Sequence, residues 1–345
     1  MQRVMIVTNS LTGGGAERSM NMVSNELTKR GWSVALVPVN TSEPDLITPT
    51  CEVFPLYRQW RGSFFNTLSA YVRFNRVVRS WKPDVLVLNC DLPELFGALL
   101  LHRQFIVIVE HANFPWSTRV VTGKIIRSIL SMRGGVWAAV SSHLGIWPTG
   151  KSPYAILQNP LTPSIETIQK TAITSYLKRL VYIGRLSSPQ KRPEFMLEIG
   201  AASGVDVEIV GDGLVRDTLQ EEVAAKKLRV KFSGQIRDPW SLINQGDLLI
   251  VPSSYEGDGL VVIEGLQKGI PILVSDIPDF RRFGLPERNY CQTVGAFIAR
   301  INEYRTDLHH LIVPENIVAP ILVSRSLGAV GDSWEEFLNS ILRRS

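Results

Sequence analysis

PSSYEGDGLVVIEGLQKGIPILVSD, residues Pro252 to Asp276, decides how the chain is read. The apolar run Leu248-Leu249-Ile250-Val251 just before it has the character of a buried parallel strand. Glu256-Gly257-Asp258-Gly259 then forms a turn rich in glycine and acid. From Leu260 the pattern is helical through Lys268, and Gly269 with Pro271 supplies the stop before a second apolar strand, Ile272 to Val274. Strand, glycine turn, helix and strand make one βαβ unit. The helix opens with the N–H groups of Gly259, Leu260 and Val261 lacking intrahelical partners, at the positive end of the helix dipole, where a phosphate can be held. Glu256 and Glu264 are eight positions apart, over two helical turns, so they are not a dyad on one turn. They are expected to face two parts of one extended ligand, and carboxylates accept hydrogen bonds from hydroxyls such as those of a ribose and a sugar.

Length and composition bound the surroundings of this unit. The 345 residues exceed one ordinary core and suggest two domains of ~170 residues. With 45% hydrophobic and 20% charged residues the composition is that of a soluble globular protein. No run approaches the ~18 apolar residues of a membrane span. The opening MQRVMIVTNS reads as a strand and polar loop, without the features of a signal peptide, so a cytoplasmic location is expected. Cys51, Cys90 and Cys291 are odd in number and widely spaced, against a disulfide framework or a zinc site.

EGDGLVVIEGL, with seven residues between Glu256 and Glu264, resembles the E-x7-E element of the retaining glycosyltransferases of family 4. The resemblance implies an α/β GT-B fold, two Rossmann-like parallel-sheet domains facing across a cleft that holds a nucleotide-sugar. It is densest over 180–276 and extends over 3–20 and 105–160. The expected division is an acceptor-binding domain at 1–162, a nucleotide-sugar domain at 163–328, and a C-terminal helix within 329–345. That helix, from about Gly331 to Arg343, would pack back on the first domain through Trp334, Phe337, Leu338 and Ile341.

Further motifs fall at strand ends. After strand Val4 to Thr8, Gly13-Gly14-Gly15 allows a bulky ligand close to the backbone, and a helix from about Ala16 follows. The dinucleotide fingerprint G-x-G-x-x-G is absent. GGGAER resembles the family loop over the donor phosphates, which implicates Gly14 and Gly15; a plain tight turn is the competing reading. His111 follows strand Phe105 to Glu110 at the end where ligands gather in open sheets. EHANFPW resembles the family site whose histidine contacts the donor sugar, although a lone histidine can also be structural.

Arg185 and Lys191 sit six apart in the loop after strand Leu180 to Ile183. They can converge on one diphosphate, the arginine through its fork and the lysine as a point charge, or remain solvated. The stretch resembles the family's G-R-L-x5-K element, with Lys191-Arg192-Pro193 where family members have Lys-Gly, which adds a candidate third cation. Gly211-Asp212-Gly213 resembles the G-x-G element beneath the nucleotide, and Ser233-Gly234-Gln235 the edge that meets the base.

Cations concentrate in the first half. Residues 1–160 carry 16 Lys+Arg against 9 Asp+Glu, and residues 161–345 carry 21 against 23. Arg58 to Lys82 interleaves Arg58, Arg61, Arg73, Arg76, Arg79 and Lys82 with Trp60, Phe64, Phe65, Tyr71, Phe74 and Trp81, and holds no acid. It reads as a helix for an anionic membrane surface, or as a peripheral helix with aromatics inward and arginines solvated. Residues 116–133 form a second candidate, an amphipathic helix with Arg119, Lys124 and Arg127 on its polar side. Nucleic acid would be another cause of basicity, but no Lys-rich tail or recognition helix supports it.

The resemblance implies retaining transfer of a sugar from a UDP- or GDP-sugar to a glycan or lipid-linked acceptor, such as a polyprenyl diphosphate carrier, in surface polysaccharide or lipopolysaccharide synthesis. Arg185, Lys191, the N–H groups near Leu260 and Gly14-Gly15 would meet the charge on the leaving diphosphate. Glu256 would grip sugar hydroxyls or stabilise positive charge at the anomeric carbon, Glu264 would bind ribose, and Asp258, where relatives often carry an aromatic or apolar residue, would tune sugar choice. No acidic pair is spaced as a metal cage, so neither metal nor cofactor is expected. A phosphorylase, a nucleotide-sugar epimerase and an inactive partner-binding homologue are the alternatives.

Overall fold

The computed structural model describes residues 2–12, 14–41, 47–59, 63–100, 104–112, 114–162 and 176–343. The chain divides into two compact units, Met1–Thr162 with Ser324–Ser345, and Pro163–Val323. Gly13, Trp60 and Arg61 fall outside the described residues.

The first unit holds β1 (Arg3–Thr8), β2 (Ser33–Pro38), β3 (Glu52–Val53), β4 (Val85–Asn89), β5 (Phe105–Glu110), β6 (Val136–Ala139) and β7 (Ala155–Ile156). They form a sheet in the order β3-β2-β1-β4-β5-β6-β7, with every pairing parallel. A parallel sheet needs crossovers, and helices on both faces explain why its strands are apolar at nearly every position. One face buries Val4, Ile6, Leu36, Val85 and Val107 beneath Met20, Val23 and Leu27 of α1 (Gly15–Lys29). The opposite face buries Met5, Val7, Val37, Leu88 and Ile108 beneath α2 (Phe64–Trp81), α3 (Asp91–Ala98) and α4 (Val120–Met132).

Three expectations change here. The helix expected across 58–82 begins only at Phe64, because Ser63 caps it by accepting the Asn66 N–H. Phe74 and Trp81 point inward but Phe64 and Phe65 are 75% and 77% exposed, so the aromatics do not all face the core. Arg127 is not on the polar side of α4: it is buried between Glu94 and Glu110.

The second unit holds β8 (Arg179–Ile183), β9 (Asp206–Val210), β10 (Val230–Gly234), β11 (Asp247–Val251), β12 (Ile272–Ser275) and β13 (Tyr290–Cys291), in the order β10-β9-β8-β11-β12-β13 and again parallel. This is the doubly wound order, in which the connections reverse between β8 and β11 and leave a crevice at the carboxyl ends of those two strands. On one face α5 (Glu194–Ser203), α6 (Arg216–Lys226) and the later helix Val294–Tyr304 cover Leu180, Val207, Ile209 and Leu248. α7 (Leu260–Gln267) is pressed so close to β11 that a Cβ at Gly265 would lie 2.8 Å from Leu249 Cδ2. α8 (Pro278–Arg281) follows β12. Numbering then continues with α9 (Val294–Tyr304), α10 (Glu315–Ser324) and α11 (Leu327–Leu342).

α11 lies on the first unit, with Trp334, Phe337, Leu338 and Ile341 buried in the core beneath α1. It starts four residues before the expected Gly331 because Ser326 caps it, accepting the Ala329 N–H. Gly331 lets α1 approach: a Cβ there would lie 2.5 Å from Arg30 Nε and 2.7 Å from Glu26 Cγ. Arg30 reaches across to Asp332 at 2.6 Å and Glu335 at 3.2 Å. No single described helix is long and apolar enough to cross a membrane.

Candidate functional site

In the second unit the loops leaving β8 and β11 are adjacent because their strands pair, and they are tied to each other directly. Ser254 N–H donates to the Gln190 carbonyl at 2.8 Å and Ser254 Oγ to the Pro189 carbonyl at 2.6 Å. Arg192, the candidate third cation, spends its Nη2 on the Ser253 carbonyl at 2.9 Å and lies over the Phe195 ring. Its role in the structure is to join the two loops.

That junction brings together residues 65 positions apart. Lys191 Nζ donates to Glu256 Oε1 at 2.6 Å, and Ser253 Oγ donates to the same oxygen at 2.7 Å. Glu256 is 5% exposed, and its carboxylate is therefore aimed by a cation and a hydroxyl. Arg185 is exposed, and its guanidinium makes no hydrogen bond or ion pair among the described residues. The Arg185 carbonyl accepts the Tyr182 hydroxyl at 2.8 Å, which fixes the start of the loop. Burial, and then the neighbouring Glu256, push the Tyr182 phenol well above its usual range, so it stays a neutral donor.

The glycines shape the same end of the sheet. A Cβ on Gly211, whose φ is +139°, would lie 1.9 Å from the Gly184 carbonyl oxygen. The loop after β9 thus runs directly against the Gly184-Arg185 backbone, and Gly211 N–H closes the edge on the Gly234 carbonyl at 2.8 Å. Gly259 caps α7 in the left-handed region, φ +66°, and no side chain caps the helix. The N–H groups of Leu260 and Val261 therefore open α7 beyond the carboxyl end of β11, in the same connection that carries Glu256.

Two carboxylates of this region have partners that sequence spacing did not reveal. Glu264 is 8% exposed and accepts the Trp240 indole N–H at 2.9 Å. Trp240 belongs to a short turn of helix, Pro239–Leu242, started by Asp238. Asp258 is paired with Arg282 at 2.9 Å. The stretch 281–288 contributes Phe283 and Leu285 to the interior as well as this half-buried Arg282. The patterns D-P-W before β11 and R-R-F after β12 were the available signals, but neither announces a partner.

In the first unit Gly14 and Gly15 stand at the N-terminus of α1, just past the carboxyl end of β1, and the Gly14 carbonyl accepts Arg18 N–H. Asn89, at the end of the neighbouring β4, donates to Thr8 Oγ1 at 3.1 Å and so ties the two strand ends. His111 is the first residue beyond β5 and is half-buried. The residue before it, Glu110, belongs to a buried cluster around Arg127. Arg127 gives Nε and Nη2 to Glu94 at 2.9 and 2.5 Å, and Nη1 to Glu110 at 2.8 Å and to the Trp147 carbonyl at 2.9 Å. Trp116 joins through its indole N–H to Glu94 at 2.8 Å and its backbone N–H to Asp91 at 3.2 Å. Burial, reinforced by Glu94, pushes the Glu110 carboxyl up to about 8 against the pull of Arg127, and raises Asp91 to about 6. Among the described residues no group of three or more His, Cys, Asp or Glu could hold a metal ion.

Two family models match the chain, one described as Glycosyltransferase Family 4 over residues 13–161 and one as Glycosyl transferases group 1 over residues 164–284. The chain is 40% identical over 74 residues to the O-antigen biosynthesis glycosyltransferase WclY of Escherichia coli, a match that spans 21% of each protein. It is 22% identical over 285 residues to a GalNAc-alpha-(1->4)-GalNAc-alpha-(1->3)-diNAcBac-PP-undecaprenol alpha-1,4-N-acetyl-D-galactosaminyltransferase of Campylobacter jejuni, covering 77% of each. Among solved structures, Anabaena HepE in complex with UDP and glucose superposes with a TM-score of 0.76 at 17% identity, over 99% of this chain and 100% of that one. Its likeness is one of fold.

Proposed function

We propose that this chain, which belongs to glycosyltransferase family 4 and has the GT-B fold, moves a sugar from a UDP- or GDP-sugar to a glycan or lipid-linked acceptor with retention of anomeric configuration. The observation that carries the reading is the meeting of Lys191, Glu256 and the open end of α7 at the β8/β11 switch point, with Arg185 exposed in the adjoining loop. A cation already in contact with the carboxylate, a second cation with no competing ion pair, and two N–H groups suit a diphosphate attached to a sugar.

In the transfer, the bond between the anomeric carbon and the diphosphate oxygen breaks, the nucleoside diphosphate departs with the electron pair, and the acceptor hydroxyl oxygen forms the new bond on the same face as its proton passes to the departing diphosphate oxygen. Negative charge grows on the departing oxygen, and Arg185, Lys191 and the Leu260 and Val261 N–H groups meet it without a metal. Glu256 faces the sugar, where its carboxylate grips hydroxyls or stabilises positive charge at the anomeric carbon. Glu264, oriented by Trp240, takes the ribose hydroxyls. In the first unit, the family resemblance alone nominates His111, just beyond β5, and Gly14-Gly15, at the start of α1, as donor-binding residues.

WclY is named for O-antigen biosynthesis and the Campylobacter enzyme for an undecaprenol-diphosphate-linked glycan, which supports an acceptor of lipid-linked surface glycan type. The first unit suits that acceptor. Residues 54–83 and 111–162 contain no Asp or Glu. α2 exposes Phe64, Phe65, Leu68 and Val72, followed by Arg76 and Arg79, and α4 exposes Val121, Ile125 and Met132 beside Lys124. Apolar side chains flanked by cations fit the cytoplasmic face of an anionic membrane.

A thermal-shift screen of UDP- and GDP-sugars tests the donor, since a ligand at one hundred times its dissociation constant stabilises by ~2.7 kcal/mol. NMR of the product's anomeric configuration tests retention. A protein stabilised by no nucleotide-sugar, or a product of inverted configuration, would refute the corresponding part.

A further inference from the structure

Behind the Glu256–Gly259 turn stands α8, and it touches the turn at both ends. Asp279 is 6% exposed and accepts the Glu256 N–H through Oδ2 at 2.6 Å. Arg282 donates Nη2 to the Asp258 carboxylate at 2.9 Å and to the Asp258 carbonyl at 2.5 Å, while its Nε holds the Asp279 carbonyl at 2.9 Å. The guanidinium lies 4.6 Å from the centre of the Phe283 ring, which stacks on Phe280. Phe280 in turn sits 3.0 Å from the place a Cβ on Gly259 would occupy. The start, the third residue and the last residue of the turn are thus each met by one short segment, 279–283.

We propose that Asp279 and Arg282 are positioning residues for the transfer, holding the Glu256–Gly259 turn in its working shape before the donor arrives. The inference rests on the reading of Glu256 and the α7 N-terminus given above. A turn containing Gly257 and Gly259 has wide conformational freedom of its own. Stabilisation of developing charge, however, depends on donors already in place, and displacement by ~1 Å costs ~100-fold. The clamp removes that freedom with three hydrogen bonds and an aromatic wall. It also redirects the role of Asp258: its carboxylate is turned to Arg282 with a side chain only 5% exposed, so its influence on the sugar passes through the shape of the turn.

Two readouts test the clamp, using Asp279→Ala, Asp279→Asn, Arg282→Met and Arg282→Lys, with Arg281→Met as a neighbouring control. Arg281 is exposed and turned away, to Asp276 and Glu287. Amide hydrogen exchange on the ligand-free protein should accelerate about tenfold or more over 254–262 in Asp279→Ala and Arg282→Met, and stay unchanged in Arg281→Met. In steady-state turnover Arg282→Met should lower kcat about 30-fold or more with the donor KM within about threefold, because Arg185 and Lys191 still hold the diphosphate. Asp279→Asn keeps an acceptor and Arg282→Lys a charge, and both should recover part of the loss. They also carry the test if the harsher variants do not fold. Unchanged exchange over the turn, or kcat within twofold of the unaltered enzyme, overturns the proposal. Loss of turnover in Glu256→Gln beside full turnover in Arg282→Met refutes the clamp and leaves the function standing. No turnover by the unaltered protein on any UDP- or GDP-sugar refutes the function itself.

Discussion

Replacing Glu110 by glutamine should stabilise the protein at pH 8.5 while leaving it nearly unchanged at pH 5. Arg127 carries one charge and faces two carboxylates, Glu94 and Glu110, each 1% exposed, with Asp91 close by on α3. Glu94 takes Nε and Nη2, so the guanidinium is committed there and Glu110 shares what remains. A surplus negative charge in a dry interior is costly, and a proton on Glu110 removes it. This is the cause of its rise from 4.5 to about 8, against Arg127 and together with Glu94 and Asp91. A raised carboxyl means that the folded state binds the proton more tightly than the unfolded chain. Stability from this group is therefore complete below about pH 4.5 and declines as pH rises towards 8. At 1.36 kcal/mol per unit the interval sets a ceiling of about 5 kcal/mol, and about 2 is a reasonable floor after relaxation. Glutamine has no proton to lose and its amide oxygen still accepts from Arg127. Urea denaturation of both proteins at pH 5 and 8.5, followed by tryptophan fluorescence, measures the difference. A variant less stable than the parent at pH 8.5 would show that ionised Glu110 and Arg127 form a net stabilising pair, and the charge-surplus reasoning would fail.

Other consequences are open to equally direct measurement. Arg185→Ala and Lys191→Ala should each lower turnover by about 100-fold or more, and near-normal rates in both would remove them from the site. Gly211→Ala forces a Cβ to 1.9 Å from the Gly184 carbonyl at φ +139°, so it should cost of order 3 kcal/mol in denaturation and abolish the donor-induced thermal shift. Arg127→Met leaves Glu94 and Glu110 buried without their cation and should cost about 3–5 kcal/mol in urea denaturation; a loss under about 1 kcal/mol would contradict that account. Replacing Phe64 and Phe65 together by aspartate should weaken co-sedimentation with anionic vesicles more than about tenfold, since each buried phenylalanine is worth about 1.5–3 kcal/mol, with turnover on a water-soluble acceptor retained.

Much of the fold is legible in short windows. The run Leu248 to Val251 and the period that starts at Leu260 identify strand and helix because a buried strand and an amphipathic helix impose different spacings on the same apolar residues. α11 starts four residues before its apolar stripe indicates because Ser326, a cap, lies outside that stripe. The burial of Arg127 is hidden in the sequence for a related reason. On the helix it lies among Gly123, Ile126 and Leu130, all buried, and a charged side chain reads as solvent-facing until its two carboxylate partners are known.

What the sequence determined by itself is local: the βαβ unit at 248–276, glycines where the backbone turns or crowds, and the spacing of Glu256, Glu264, Arg185 and Lys191. What only the tertiary structure decided is pairing. Lys191 meets Glu256 across 65 residues, Glu94 meets Arg127 across 33, and Arg282 meets Asp258 across 24. Propensity and periodicity act over a few residues, whereas these contacts exist because β8 lies beside β11 and because helices return over the sheet at a fixed place. A charge in the sequence states what a side chain can bind; the order of strands states what it will find.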